Sequence, residues 1–189
     1  MSEAIKIIPT VDYAALESLV AEYLPGTDSI KSICANFPAA VVGYYVDGAL
    51  IGCAYGAKGL HGGEGCFQLS GIAIKHPYNG HGRGGKLLTF FERQVANLGY
   101  ARISLGSAGG YVEQFYIKNG YRPVELKILV ASYDWKMKQH GHATPSVEAQ
   151  GEYTKLVFPV DDYYAIDKDK IMGYYGGMES FFVFEKIIA

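Results

Sequence analysis

Cysteine is scarce in this chain, long apolar runs are missing and charge of neither sign predominates; each shortage argues against a class of function. Cys34, Cys53 and Cys66 are the three cysteines of 189 residues. Their odd number and irregular spacing fit neither a zinc site nor a disulfide framework. Two of them fall in apolar strand-like runs, which predicts reduced, buried thiols. The opening Met-Ser-Glu-Ala-Ile-Lys lacks the basic start and apolar centre of a secretion signal. No run approaches the roughly 20 apolar residues of a membrane span. With 17 Lys and Arg against 19 Asp and Glu, the net charge is −2, so nothing draws the chain to nucleic acid or to an anionic bilayer. The expectation is a cytoplasmic protein with no nucleic-acid or membrane partner. A hydrophobic share of 49% with 19% charged residues is enough for an ordinary globular core.

Glycine, in contrast, is dense at one place. The apolar run from Leu69 to Ile74 leads to Gly80, Gly82, Gly84 and Gly85, after which Leu87, Leu88, Phe91, Val95 and Leu98 form one stripe of a helix over 83–98. A strand, a glycine turn and a helix start in that order make an anion cradle, because glycine lets successive amides point at one spot where the helix dipole is positive. The bare pattern has several uses. Gly80-x-Gly82-x-x-Gly85 fits a dinucleotide turn, but the ribose-binding acidic residue about 20 positions on is missing, since 100–110 holds no Asp or Glu. Gly80-x-x-x-x-Gly85-Lys86 fits most of a nucleotide P-loop, yet the following hydroxyl position is Leu87.

The third use is a turn for acyl-coenzyme A. Asn79-Gly80-His81-Gly82-Arg83-Gly84 resembles the core signature of the GNAT superfamily of acetyl-CoA-dependent N-acyltransferases, with Asn in place of the usual Gln or Arg. Phe115-Tyr116-Ile117-Lys118-Asn119-Gly120-Tyr121 is similar to that family's later Phe-Tyr-x-Lys-x-Gly-Phe helix end. The family often carries Asn seven residues before the Tyr, where this chain has Gly109. The likeness is strongest from Leu69 to Tyr121.

Local patterns give the element order. Ala4–Ile8 is a strand, and the helix after Pro9-Thr10-Val11-Asp12 repeats Leu16, Leu19, Val20, Tyr23 and Leu24. A short helix covers 29–35. Strands 40–46 and 50–55 are joined by Asp47-Gly48, a hairpin signal. A glycine-rich loop over 58–65 precedes strand 66–74, where Gly71 suggests a bulge or a close approach. After the helix at 83–98 come a strand at 102–105, a helix at 112–119 and a strand at 124–132. Residues 139–151 read as a mobile connection, 153–160 and 181–188 as strands, and 161–177 as a Tyr-rich charged segment. The resemblance implies an α/β fold of GNAT type, with a mixed, mostly antiparallel central sheet flanked by helices. The division predicted is a core over 1–135 and a C-terminal β-rich extension over 136–189. The aromatics of the extension would fill a core, line an acceptor pocket or form a homodimer seam.

The resemblance also implies a chemistry: transfer of an acetyl group from acetyl-CoA, as cosubstrate, to a primary amine by direct attack in a ternary complex. Asn79, Gly80, His81, Gly82, Arg83, Gly84 and Gly85 would hold the diphosphate, with Arg83 and Lys86 offering cations. Backbone groups of Ile72, Ala73 and Ile74 would pair with the pantetheine arm, and the Ile72 N–H would polarise the acetyl carbonyl. Tyr116 would be the acid for the departing thiolate. For the base, Gln68 stands where relatives carry Glu, so Glu64, His61 or a water is required, with Glu64 the candidate. His76 and His81 have no partners at ligand spacing, so no metal is expected. The acceptor is a small-molecule or protein amine, toward which Asp161, Asp162, Asp167 and Asp169 would act as attractants. The alternative is a sensor or carrier of the same fold that binds acyl-CoA without turnover.

Overall fold

The computed structural model describes residues 2–24, 30–59, 65–107, 109–131 and 145–188. They pack as two units, Met1–Leu105 with Ile187–Ala189, and Gly106–Lys186.

The first unit runs β1 (Glu3–Ile7), α1 (Tyr13–Tyr23), α2 (Ile30–Asn36), β2 (Val41–Val46), β3 (Ala49–Lys58), β4 (Cys66–Ile74), α3 (Arg83–Asn97) and β5 (Arg102–Ser107). The strands lie in that order, antiparallel from β1 to β4, while β4 and β5 are parallel. Asp47 and Gly48 both take positive φ, 47° and 83°, the backbone that lets a two-residue turn follow the twist of its strands. β2 is buried at every position, as a strand covered by helices on both faces must be. On one face α1 and α2 lay Leu16, Leu19, Val20 and Ile33 against Val41, Tyr45, Cys53 and Tyr55. On the other, α3 buries Leu87, Leu88, Phe91 and Val95, and the Phe91 ring meets Phe67 of β4 at 6.1 Å. Leu98, expected to complete that stripe, is 40% exposed because it lies past the helix end, where Gly99 turns the chain at φ 87°.

The second unit contains α4 (Tyr111–Lys118), β6 (Arg122–Ala131), β7 (Ser146–Gln150), β8 (Tyr153–Pro159), α5 (Lys168–Tyr175) and β9 (Glu179–Ile187). Its strands order as β9, β6, β8, β7, all antiparallel. Two segments differ from expectation. Part of the supposed connection is β7, an edge strand held by its register with β8 across the Gly151 turn; Ser-Val-Glu-Ala-Gln carries too little β preference to announce itself. The Tyr-rich segment contains α5. Asp167 caps it by accepting from the Lys170 amide at 2.9 Å, and Gly176 ends it at φ 68°. Eight residues are too few for a clear period, and the helix is fixed by packing, with Tyr175 against Phe158 at 5.4 Å.

Candidate active site

The glycine turn has the backbone its sequence demands. Gly80, His81 and Gly82 take φ values of 80°, 52° and 72° in succession, a left-handed run that side chains with a Cβ resist. The chain then enters α3 at Arg83. The Arg83 amide donates to the Gly80 carbonyl at 3.3 Å and the Lys86 amide to Gly82 at 3.1 Å. Among the described residues nothing accepts from the amides of Gly84 and Gly85. No side chain caps this helix end and no acidic residue lies in its first turn. A methyl group built on Gly80 or Gly82 would meet nothing within 4 Å, so the space at those two positions of the turn is open. Free donors, a helix of 15 residues and open space at Gly80 and Gly82 fit a bound diphosphate.

The Arg83 side chain is engaged within the protein. Its guanidinium is held by Glu3, Nη2 to Oε1 at 2.7 Å, and by the Tyr78 carbonyl at 3.1 Å. Lys86 and Asn79 are exposed beside the turn.

β4 supplies the second half of the site. Its parallel pairing with β5 covers only Cys66, Phe67 and Gln68 against Arg102, Ile103 and Ser104. One residue further, the register with β3 slips: Gly56 pairs with Leu69 and Tyr55 with Gly71, which leaves Ser70 as the bulge. Past it, no described strand pairs with the β5 side of β4. Lys75 donates to the Ile51 carbonyl at 2.7 Å. Bonding alternates along an antiparallel pair, so Ala73 also faces β3, and the N–H and C=O groups of Ile72 and Ile74 face the open edge. Of the three residues expected to pair with a ligand, the structure therefore brings Ile72 and Ile74 to that edge and turns the Ala73 main chain away. Gly71 is fixed by a close approach: a methyl there would stand 2.7 Å from Tyr55 Cζ and Oη and 2.9 Å from Leu24 Cδ1.

In the second unit, Tyr116 is buried on α4 among aromatic rings, with centroids at 5.3 Å to Phe115, 5.7 Å to Tyr121 and 6.0 Å to Phe184. Burial pushes its hydroxyl up to about 12, so it holds its proton at neutral pH. Glu64 and His61 lie outside the described residues. Glu113, one turn before Tyr116, did not stand out in the sequence: it is buried and accepts a hydrogen bond from Tyr163. Its signal was a lone carboxylate three residues from the Tyr, on the same side of a helix. Asp162 and Asp167, proposed as attractants, each cap a local turn or helix. Among the described residues no three His, Cys, Asp or Glu side chains gather as metal ligands, and no helix is long and apolar enough to cross a membrane.

The described α/β unit thus carries an uncapped helix start behind a glycine turn and a strand edge left open past a bulge. The chain belongs to the acetyltransferase (GNAT) family, whose model matches residues 12–122. No curated protein matches it in sequence. Among solved structures, it is similar to the ribosomal-protein-S18-alanine N-acetyltransferase from Escherichia coli, at 15% identity, TM-score 0.59, covering 100% of this chain and 95% of that one. It is also similar to an IAA acetyltransferase from Bacillus cereus, at 17% identity, TM-score 0.58, covering 98% and 99%. A third is the N-acetylglutamate synthase from Neisseria gonorrhoeae complexed with coenzyme A and N-acetyl-glutamate, at 11% identity, TM-score 0.59; all of this chain aligns, over 36% of that longer protein. These likenesses share the fold: a mostly antiparallel open sheet flanked by helices.

Proposed function

We propose that the chain is an acetyl-CoA-dependent N-acetyltransferase that moves an acetyl group to a primary amine by direct attack while both substrates are bound. The observation that carries this is the uncapped start of α3 in the same unit as the open edge of β4. One offers donors for a diphosphate, the other alternating donors and acceptors for an amide-bearing arm.

Bound acetyl-CoA supplies an activated thioester carbonyl. The amides between Gly80 and Gly85 hold its diphosphate, where the helix dipole adds roughly 0.3 to 1 kcal/mol for an anion. The main chain of Ile72 and Ile74 orients the pantetheine arm, and the Ile72 N–H donates to the acetyl oxygen, where negative charge builds during attack. Tyr116, assigned by its motif, protonates the leaving sulfur. An alkyl amine with pKa ~10.4 is free base in only about one molecule in 10³ at neutral pH, so a proton acceptor is needed. Glu64 is the candidate. A cytoplasmic setting fits the free, buried state of Cys34, Cys53 and Cys66, since thiols persist in a reducing compartment.

Gln68 favours a second reading, because an amide stands where relatives carry a carboxylate: a protein that binds acyl-CoA without turnover. Calorimetry with coenzyme A followed by thiol release over a panel of amines decides among them. Heat with coenzyme A and thiol release with at least one amine is the expected result; heat without release from any amine leaves the binding protein. No heat at millimolar coenzyme A removes both.

A further inference from the structure

Glu113 on α4 is 4% exposed, and its two carboxylate oxygens are unequally served. Oε2 accepts from the Tyr163 hydroxyl. Oε1 is buried and accepts no hydrogen bond; Lys168 Nζ stands 3.9 Å from it, beyond hydrogen-bond reach. The carboxylate lines a cavity of about 410 Å³ together with Tyr163, Tyr164, Phe182 and Asp169, a volume within the usual range of small-ligand sites. Lys168 Nζ also lies 5.8 Å over the Phe182 ring. The cavity thus already pairs a primary ammonium with a carboxylate and an aromatic face, the two groups that hold cationic amines. The fit is loose, however, and leaves a buried acceptor oxygen of the kind that folded proteins normally satisfy.

We infer that Glu113 anchors the ammonium group of a cationic amine in this cavity, and that Lys168 holds its place when no ligand is bound. Taking that amine as the acceptor rests on the proposed acetyl transfer; the binding site itself does not. An ammonium brings three donors to the unserved oxygen, while Tyr163 and Phe182 offer aromatic surface to the carbon skeleton. Glu113 and Tyr116 are one helical turn apart on α4, so an amine held there lies beside the helix that carries the assigned acid. The ligand class is an arylalkyl or alkyl primary amine, not a neutral or acidic molecule.

The test is calorimetric titration of phenethylamine, with 2-phenylethanol as its uncharged counterpart, into the wild-type protein, Glu113→Gln and Lys168→Met. Coenzyme A is titrated separately into each. The expected result is that phenethylamine binds at least about tenfold more tightly than the alcohol, a gap that Glu113→Gln abolishes and Lys168→Met widens about threefold, with coenzyme A binding unchanged in both variants. Equal affinity for amine and alcohol, an amine affinity unmoved by Glu113→Gln, or no phenethylamine heat up to about 10 mM would overturn the site. Should circular dichroism show Glu113→Gln unfolded, Lys168→Met decides: tighter amine binding supports the anchor, unchanged or weaker binding refutes it. Amine binding in a protein that gives no heat with coenzyme A would instead end the acetyltransferase reading and leave the amine site standing.

Discussion

Arg83, the first residue of α3, is locked to Glu3 of the first strand, Nη2 to Oε1 at 2.7 Å and Nε to the same oxygen at 3.0 Å. Tyr44 donates to the other Glu3 oxygen at 2.6 Å, and the guanidinium reaches back to the Tyr78 carbonyl at 3.1 Å. A side chain with the chemistry of a phosphate ligand serves instead as a brace that fixes where the glycine turn ends and the helix starts. On the proposed function, a bound diphosphate would then be met by the main-chain amides and by Lys86.

That brace depends on pH in a definite direction. The Tyr44 hydroxyl and then the Arg83 guanidinium hold the Glu3 carboxyl below the usual carboxylate range. A depressed folded pKa contributes stability above the unfolded value, about 4.3, and that contribution disappears as the pH falls through the folded value. Urea unfolding should give Glu3→Gln a lower midpoint than wild type at pH 7, and the gap should narrow as the pH falls through the folded value and the Glu3 carboxylate is protonated. A midpoint gap that stays the same size as the pH is lowered would mean that the carboxylate charge plays no part.

The β4 bulge requires its glycines for different reasons, and substitution separates them. At Gly71 a methyl group meets the end of the Tyr55 side chain and Leu24, which can yield by small rotations; at Gly56 it meets the main-chain oxygen of Gln68, which cannot. Gly71→Ala should cost about 1 to 3 kcal/mol and Gly56→Ala more, as overpacking against backbone relaxes least. Urea midpoints measure both. The reverse order would show that β3 moves more readily than the Tyr55 ring.

Gly82 and Gly99 both take left-handed φ, 72° and 87°, and a methyl on either meets nothing within 4 Å. Alanine at each should therefore lose a similar amount, about 1 to 2 kcal/mol of backbone strain. Only Gly82→Ala should weaken coenzyme A in calorimetry, because only its amide belongs to the turn at the start of α3. Equal weakening by both variants would point to general loosening of the helix in place of a contact at the turn.

These contrasts mark what the sequence could reveal. Asp47-Gly48, Gly99 and the run from Gly80 to Gly85 were legible because backbone chemistry there is local: few residues tolerate positive φ, and those present do. Gly71 was legible as a bulge or close approach because a glycine inside a strand marks one or the other, although the side chain that approaches it, Tyr55, lies 16 positions earlier in the chain. Arg83 was not legible. A guanidinium beside a glycine turn suits a phosphate as well as a carboxylate, and its carboxylate is 80 residues away. β7 and α5 were missed because each takes its form from a neighbour, β8 across a tight turn and Phe158 under Tyr175. Glu113 was missed because its burial and its meeting with Tyr163, 50 residues on, are tertiary facts.

Tyr116 offers the sharpest separation of packing from chemistry. Phe keeps the ring that packs on Phe115, Tyr121 and Phe184 and removes only the hydroxyl. If that hydroxyl delivers the proton to the leaving sulfur, Tyr116→Phe should lower kcat by ~10² to 10⁴ while coenzyme A affinity and the urea midpoint stay close to wild type. Burial pushes the phenol up to about 12, so it remains protonated across any practical assay. The wild-type rate should then climb from pH ~7 to ~10 as more of the amine, with pKa ~10.4, becomes free base, and no falling limb should come from this group. A falling limb near pH ~9 that vanishes in Tyr116→Phe would mean that the phenol ionises far more easily than its buried setting permits, and unchanged turnover in the variant would assign the proton to another donor.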